Sequence, residues 1–377
     1  LFRRFFIFFF NSITHNNKIS FSYSMNGPDA KETVEDGIEA EKLGFDQIFI
    51  GDHLTDLPPP EDHYGGVLDA WSILSAIGSK TQKIKLCPGV TDVQRSHPAR
   101  IANTVSTLDH LTDGRIACGI GAGEAINLKP FGIVWEEPGV RVRRFREAIT
   151  VMKLLWSSTY KEPVSFSGEF HKLEEAYLGL RPLQKPHPPI YTGAIRNKML
   201  EITGEVGDGW FPGTLNTPES FRAKINIIKN SAEKAGRNLS EIEIIAIVPT
   251  VINSDPEIRK EIEKNYKRAF IYQRSLLEYL GVGDLIKTIP KELEYQLVTP
   301  TLESSMAIDK AAEELPIPNE VLSRAVDETM AVGTRDECIT SLERFIKAGA
   351  TKLELFPPVS TKENYAKAAK EIIPYFK

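Results

Sequence analysis

The sequence predicts an α/β fold: a closed (β/α)8 TIM barrel with insertions. Three observations carry that prediction. Strand-like and helix-like runs alternate through eight units along one chain of 377 residues. Such alternation specifies parallel strands joined by helical crossovers, and eight units suit a closed barrel better than an open doubly wound sheet. The strand-like runs also end in polar or glycine-rich residues, which is where a barrel of this kind builds its active site.

The elements follow in order. ISFSYSM at 19–25 is the first strand. PDAKETVEDGIEAEKLG at 28–44 is its helix: Val34, Ile38 and Leu43 fall near one face, Pro28 suits a first turn and Gly44 a C-cap. FDQIFIGDH at 45–53 is the second strand, and residues 67–80 form a helix with Leu68, Trp71, Leu74 and Ile77 on its apolar face. KIKLCPGV at 83–90 is the third strand, followed by a helix at 99–112. RIACGIGAG at 115–123 is the fourth, followed by a helix at 140–156. VSFSGEFHKLEEA at 164–176 alternates like a β-hairpin, and RPLQKPHPP at 181–189 is a proline-rich loop. PIYTGA at 189–194 and DGWFPG at 208–213 are the fifth and sixth strands, each followed by a helix, at 196–206 and 217–236. EIEIIAIVPTVI at 241–252 is a long seventh strand, residues 256–331 are mainly helical and charged, and a helix spans 334–348. TKLELFPP at 351–358 is the eighth strand and 361–375 the last helix. The barrel is one domain, 18–377, with insertions near 160–187 and 254–332.

The first residues stand apart. LFRRFFIFFF places Arg3 and Arg4 before an apolar run, Phe5 to Phe10, too short for a membrane span and without a small-residue cleavage site before Asn11. Residues 1–17 are read as an extension outside the fold, with a targeting or tethering segment as the other reading.

Composition narrows the function. A chain 41% hydrophobic and 26% charged is not globally disordered, and a net charge of −5 gives no electrostatic support to a nucleic-acid partner. Cys87, Cys118 and Cys338 are far apart with no CxxC, so neither a zinc ribbon nor a disulfide framework is legible. The histidines show no HxH or HxxxH spacing, and no metal site is expected. The expectation is a cytoplasmic enzyme of small molecules with no membrane partner.

The strand ends supply the candidates: Ser24–Asn26, Asp52–His53, Gly89–Thr91, Gly121–Glu124, Thr192–Ala194, Trp210–Gly213, Pro249–Thr250 and Phe356–Pro358. His53 at such an end is a candidate proton donor or substrate ligand, or else a residue that caps a loop or packs on Trp71. Glu124 is a candidate general acid or hydrogen-bond acceptor, or an exposed loop carboxylate. Gly121 and Gly123 allow a ligand to approach the backbone, although Ile126 breaks the GxGxxG dinucleotide pattern. Thr192-Gly193-Ala194 before a helix starting near Arg196 is either an anion site, helped by Arg196 and Lys198, or a plain turn with Thr192 as N-cap.

These segments carry a resemblance. LCPGVTDVQRSHPARIANTVSTLDHLTDGRIACGIGAGE at 86–124 resembles the central signature of the bacterial-luciferase-like barrel superfamily. Its P-G-V-T, R-x-H-P and T-L-D-x-L-x-x-G-R elements resemble those of coenzyme F420-dependent methylenetetrahydromethanopterin reductases. G-A-G-E-A-I-N at 121–127 is similar to the motif of F420-dependent sugar-phosphate dehydrogenases and of phthiodiolone-type ketoreductases. F-S-G-E-F-H at 166–171, R-P-L-Q-K-P-H-P-P-I-Y-T-G at 181–193, G-D-G-W at 207–210, G-T-R-D-E-C at 333–338 and A-G-A-T-K-L-E-L at 348–355 fit the superfamily as a whole.

The resemblance implies a non-proline cis peptide at Gly89–Val90, in a bulge that backs the deazaflavin ring. It implies a cofactor-binding set of Asp52, Gly89, Val90, Thr91, Gly121, Gly123, Thr192, Gly193 and Ala194, with the last three at the phosphate. His53 and Glu124 would face the substrate as catalytic residues, and Trp210 would lie near the mouth. The activity implied is hydride transfer between coenzyme F420 and a methylenetetrahydromethanopterin-type or carbonyl/alcohol substrate, in a homodimer. The alternatives are an FMN-dependent monooxygenase of the same barrel and a non-catalytic flavin-binding barrel.

Overall fold

Largely buried barrel strands and amphipathic helices alternate as expected in the computed structural model, which describes residues 19–25, 29–55, 67–291, 293, 302–356 and 362–377. The strands are β1 (Ser20–Met25), β2 (Gln47–Ile50), β3 (Lys85–Pro88), β4 (Thr91–Asp92), β5 (Cys118–Gly121), β6 (Val164–Ser167), β7 (Lys172–Ala176), β8 (Ile190–Gly193), β9 (Gly209–Phe211), β10 (Glu243–Ile252), β11 (Ala331–Gly333) and β12 (Lys352–Phe356). β6 and β7 form the antiparallel hairpin; the main sheet runs β3-β2-β1-β12-β10-β9-β8-β5-β4 and its pairings are parallel. Its two ends meet, because Leu86 N donates to Arg115 O at 2.9 Å and Ala117 N to Leu86 O at 2.8 Å. That closes the ring into the barrel.

The pattern of QIFI in β2 shows why the strands read as continuous apolar runs. Phe49 points inward with Cys87, Ala117, Tyr191, Ile245 and Ile247. Ile48 and Ile50 join the layer between barrel and helices, with Leu74 and Ile77 of α2 (Ala70–Gly78). A parallel strand covered on both faces has no polar face to alternate.

Helix boundaries follow local chemistry. Asp29 caps α1 (Ala30–Lys42) by accepting the N–H groups of Lys31 and Glu32, and Gly44 ends it at φ +85°. Pro98 opens α3 (Pro98–Leu111), and α4 (Pro138–Ser157), α5 (Asn197–Val206) and α6 (Pro218–Lys234) complete the inner series. Arg115, from the G-R motif, donates to the carbonyls of Gly78, Thr81, Ile84 and Thr112. That motif therefore fastens the N-terminal side of the barrel and does no chemistry.

Two expectations change. The third strand is not continuous over 83–90; it breaks at Gly89–Val90 into β3 and β4. The 256–331 stretch is mostly helical, with α7 (Pro256–Tyr272), α8 (Arg274–Tyr279) and helices Leu302–Glu314 and Asn319–Thr329, but β11 after it pairs with β10. Three residues, AVG, are too short for a periodic signal. These helices have a core of their own around Ile262, Tyr266, Phe270, Leu277, Ile308 and Val326. Leu215, from the loop after β9, packs against it, and Gln273 Nε2 donates to Thr214 O at 2.9 Å. The insertion thus rests on the C-terminal edge of the barrel. Residues 1–17, Asn26, Pro28, Pro357 and Pro358, all named above, lie outside the described residues.

Candidate active site

The C-terminal ends of β2, β4, β5, β8 and β9 converge, as the barrel requires. His53 and Glu124, separated by 71 positions in the chain, stand 3.8 Å apart between Nδ1 and Oε2. A third residue joins them. Asn127, buried in the 3₁₀ turn Ala125–Asn127, places Nδ2 3.0 Å from His53 Nδ1 and accepts the Leu54 N–H on Oδ1 at 2.7 Å. The His53 and Glu124 side chains are 37% and 63% exposed, so both open to solvent and to a ligand. Asn127 was legible in G-x-G-E-A-x-N but had no chemistry of its own in sequence, because its partners come from another strand end.

Asp52 behaves differently. Its side chain is buried and accepts from Arg95 Nη2 at 2.9 Å, while the same nitrogen reaches the Asp52 carbonyl at 2.6 Å. Arg95 Nε donates to Asp92 Oδ2, and Asp92 Oδ1 accepts the N–H groups of Gln94 and Arg95 at 2.8 Å each. One guanidinium thus bridges two buried carboxylates and ties the end of β2 to that of β4. Any contact of Asp52 with a cofactor shares a carboxylate already held by Arg95. The R of R-x-H-P was the available signal for Arg95; its partner Asp52, 43 residues earlier, was not.

The peptide Gly89–Val90 is cis, as the resemblance implied. Its seat explains the glycines nearby. A Cβ on Gly193 would lie 2.8 Å from Val90 Cγ2, and one on Gly121 3.1 Å from the same atom. Gly123, at φ +86°, leaves room for the Gln94 carboxamide, which donates to Ala122 O. Gly121 and Gly123 therefore admit neighbouring side chains, and Gly123 remains half-exposed. Gly89 lies against Phe211 and Phe49, at 3.1 and 3.2 Å from its Cβ position, while Thr91 is buried.

At the end of β8 the expectation needs two corrections. The Thr192 hydroxyl is buried and shared with Thr203 Oγ1 at 2.6 Å, so it neither caps a helix nor faces a phosphate. Trp210 is fully buried, stacked on Phe221, with Nε1 donating to Ala194 O at 2.8 Å; it belongs to the barrel–helix core rather than the mouth. Ala194 is buried, leaving Gly193 as the half-open member. The first turn of α5 has no side-chain cap, and its exposed N-cap residue is Arg196. Free N–H groups beside a guanidinium suit an anion. Thr250 is buried, its hydroxyl donating to Val248 O.

No helix of the described residues is long and apolar enough to cross a membrane.

The luciferase-like monooxygenase family matches residues 4–352 of the chain. An F420-dependent glucose-6-phosphate dehydrogenase of Microbacterium testaceum (strain StLB037) is 27% identical over 347 residues, 91% of this chain and 92% of that protein. A 5,10-methylenetetrahydromethanopterin reductase of Archaeoglobus fulgidus is 29% identical over 347 residues, 90% of this chain and 93% of the relative. Among solved structures, the coenzyme F420-dependent tetrahydromethanopterin reductase from Methanopyrus kandleri superposes with a TM-score of 0.76 at 23% identity, over 96% of this chain and 100% of that one. At that identity the likeness concerns the fold.

Proposed function

The chain belongs to the luciferase-like monooxygenase family, and from that premise we propose that it is an oxidoreductase using coenzyme F420 to move hydride to or from a small organic substrate. Methylenetetrahydromethanopterin-type compounds and carbonyl/alcohol pairs are the substrate classes. One observation carries the reading: the cis Gly89–Val90 bulge, seated on Gly121 and Gly193, lies at the same barrel end as the His53–Glu124–Asn127 cluster. Relatives named as F420-dependent glucose-6-phosphate dehydrogenases match about nine-tenths of the chain, which supports the same coenzyme.

The residues present fit that group. A flat ring needs a shallow backbone wall, and the bulge offers glycine at 89 with Val90 turned onto the two glycines behind it. A phosphate needs unsatisfied donors, and the uncapped start of α5 beside Arg196 offers them. When bound, the deazaflavin supplies a carbon that gives or accepts hydride. The protein supplies position, exclusion of water and proton management. Asp52, held by Arg95, fixes the wall between β2 and β4. Glu124, exposed at the edge, exchanges a proton with substrate and solvent.

The test is a fluorescence titration of the purified protein with coenzyme F420 and, separately, FMN. Tight binding of the deazaflavin alone is expected. Preference for FMN would replace the mechanism with oxygen-dependent monooxygenation on the same barrel.

A further inference from the structure

His53 has two ring nitrogens, and the structure commits one of them. Nδ1 lies 3.0 Å from Asn127 Nδ2. The orientation of that amide is fixed, because Asn127 Oδ1 receives the Leu54 backbone N–H at 2.7 Å and a backbone N–H only donates. Asn127 therefore presents an N–H to the ring, and Nδ1 accepts it with its lone pair. A neutral imidazole that accepts at Nδ1 carries its proton on Nε2. Asn127 is 3% exposed, so the amide is not free to turn over in solvent. Glu124 Oε2 is a more distant neighbour of the same nitrogen, at 3.8 Å. Among the described residues Nε2 has no hydrogen-bond partner.

We propose that Asn127 is a positioning residue that holds His53 as the Nε2–H tautomer. His53 then acts on the substrate as a hydrogen-bond donor to a carbonyl oxygen. The inference rests on the reading of His53 as facing the substrate. While Asn127 donates to Nδ1 the ring is neutral and its one proton sits on Nε2. That nitrogen offers no lone pair to an alcohol, so His53 is not the base of an alcohol oxidation. It polarises a carbonyl and stabilises the negative charge that appears on oxygen when hydride from the reduced coenzyme reaches carbon and the C=O π pair moves to oxygen. The proton that completes the alcohol comes from the Glu124 carboxyl, which solvent recharges at its exposed edge. A preorganised neutral donor of this kind lowers the energy of a developing oxyanion without itself changing charge.

The test is a long-range proton–nitrogen correlation spectrum of uniformly ¹⁵N-labelled protein, with His53 assigned by its loss in His53→Gln. At a pH where the ring is neutral, Nε2 is expected to be the protonated nitrogen and Nδ1 the bare one. Asn127→Asp keeps the size and the acceptor for Leu54 N–H but removes the donor, and is expected to shift the ring proton to Nδ1. A wild-type ring protonated on Nδ1, or an unchanged tautomer in a folded Asn127→Asp, overturns the proposal. The wild-type spectrum alone decides if that variant does not fold. Neither measurement uses coenzyme or substrate, so failure here and failure of the coenzyme titration are separate results.

Discussion

Replacing Arg95 by Met isolates the energetics of the wall behind the site. The Arg95 side chain is 11% exposed, and those of Asp52 and Asp92 are 8% and 6%. Methionine keeps most of the volume but leaves two carboxylates facing each other with no cation between them. Removing one partner of a buried pair costs about 3–5 kcal/mol, because the remaining charge stays desolvated. Here two charges are stranded, so the upper end of that range is expected. At roughly 3 kcal/mol per molar urea for a chain of this size, the midpoint falls by roughly 1–2 M. Arg95→Lys keeps the charge but loses the planar fork that reaches Asp52 and Asp92 together, and an intermediate loss is expected. The assay is urea unfolding followed by circular dichroism. A midpoint for Arg95→Met within about 0.3 M of wild type, on the same urea scale, would refute the claim that the guanidinium bridge holds β2 to β4.

Three further outcomes follow from the same geometry. Gly193→Ala brings a Cβ to 2.8 Å from Val90 Cγ2, an overpacking of about 1–3 kcal/mol; coenzyme affinity should fall roughly tenfold and recover when Val90→Ala is added, both read by fluorescence titration. Glu124→Gln should lower turnover at least about tenfold, the lower range for losing an acid–base group, with coenzyme affinity retained; unchanged steady-state turnover removes Glu124 from the proton path. Glu41 is partly buried, which raises its pKa, but the N–H groups of Ile84, Lys83 and Gln82 outweigh this and hold it below its ordinary value of 4.5. Its stabilisation is present above that ordinary value and lost as pH falls through the depressed folded value. The melting-temperature gap between wild type and Glu41→Gln should therefore close in acid, and a gap constant down to the lowest pH at which both fold contradicts the assignment.

Periodicity and punctuation in the chain specified the alternation, the hairpin at 164–176, the two insertions and the strand ends at which chemistry sits. Those features are local. Buried parallel strands are apolar throughout, helices are amphipathic, and glycine or proline marks the joins. The resemblance added the cis bond at Gly89–Val90, which composition alone does not signal. Tertiary structure decided which strand-end residues are free to act. Asp52 and His53 are adjacent in sequence, yet one is bound to Arg95 and the other opens to the mouth beside Glu124. Thr192 was expected at the phosphate and Trp210 near the mouth, and both side chains proved to be core, facing Thr203 and Phe221. Gly121 and Gly193 make room for Val90 and Gly123 for Gln94, a use of small residues that sequence alone did not separate from room for a ligand. Asn127 gained its role only when the β2 and β5 ends met. A residue's type sets which hydrogen bonds it can form, whereas pairing across strands determines which of them it does form.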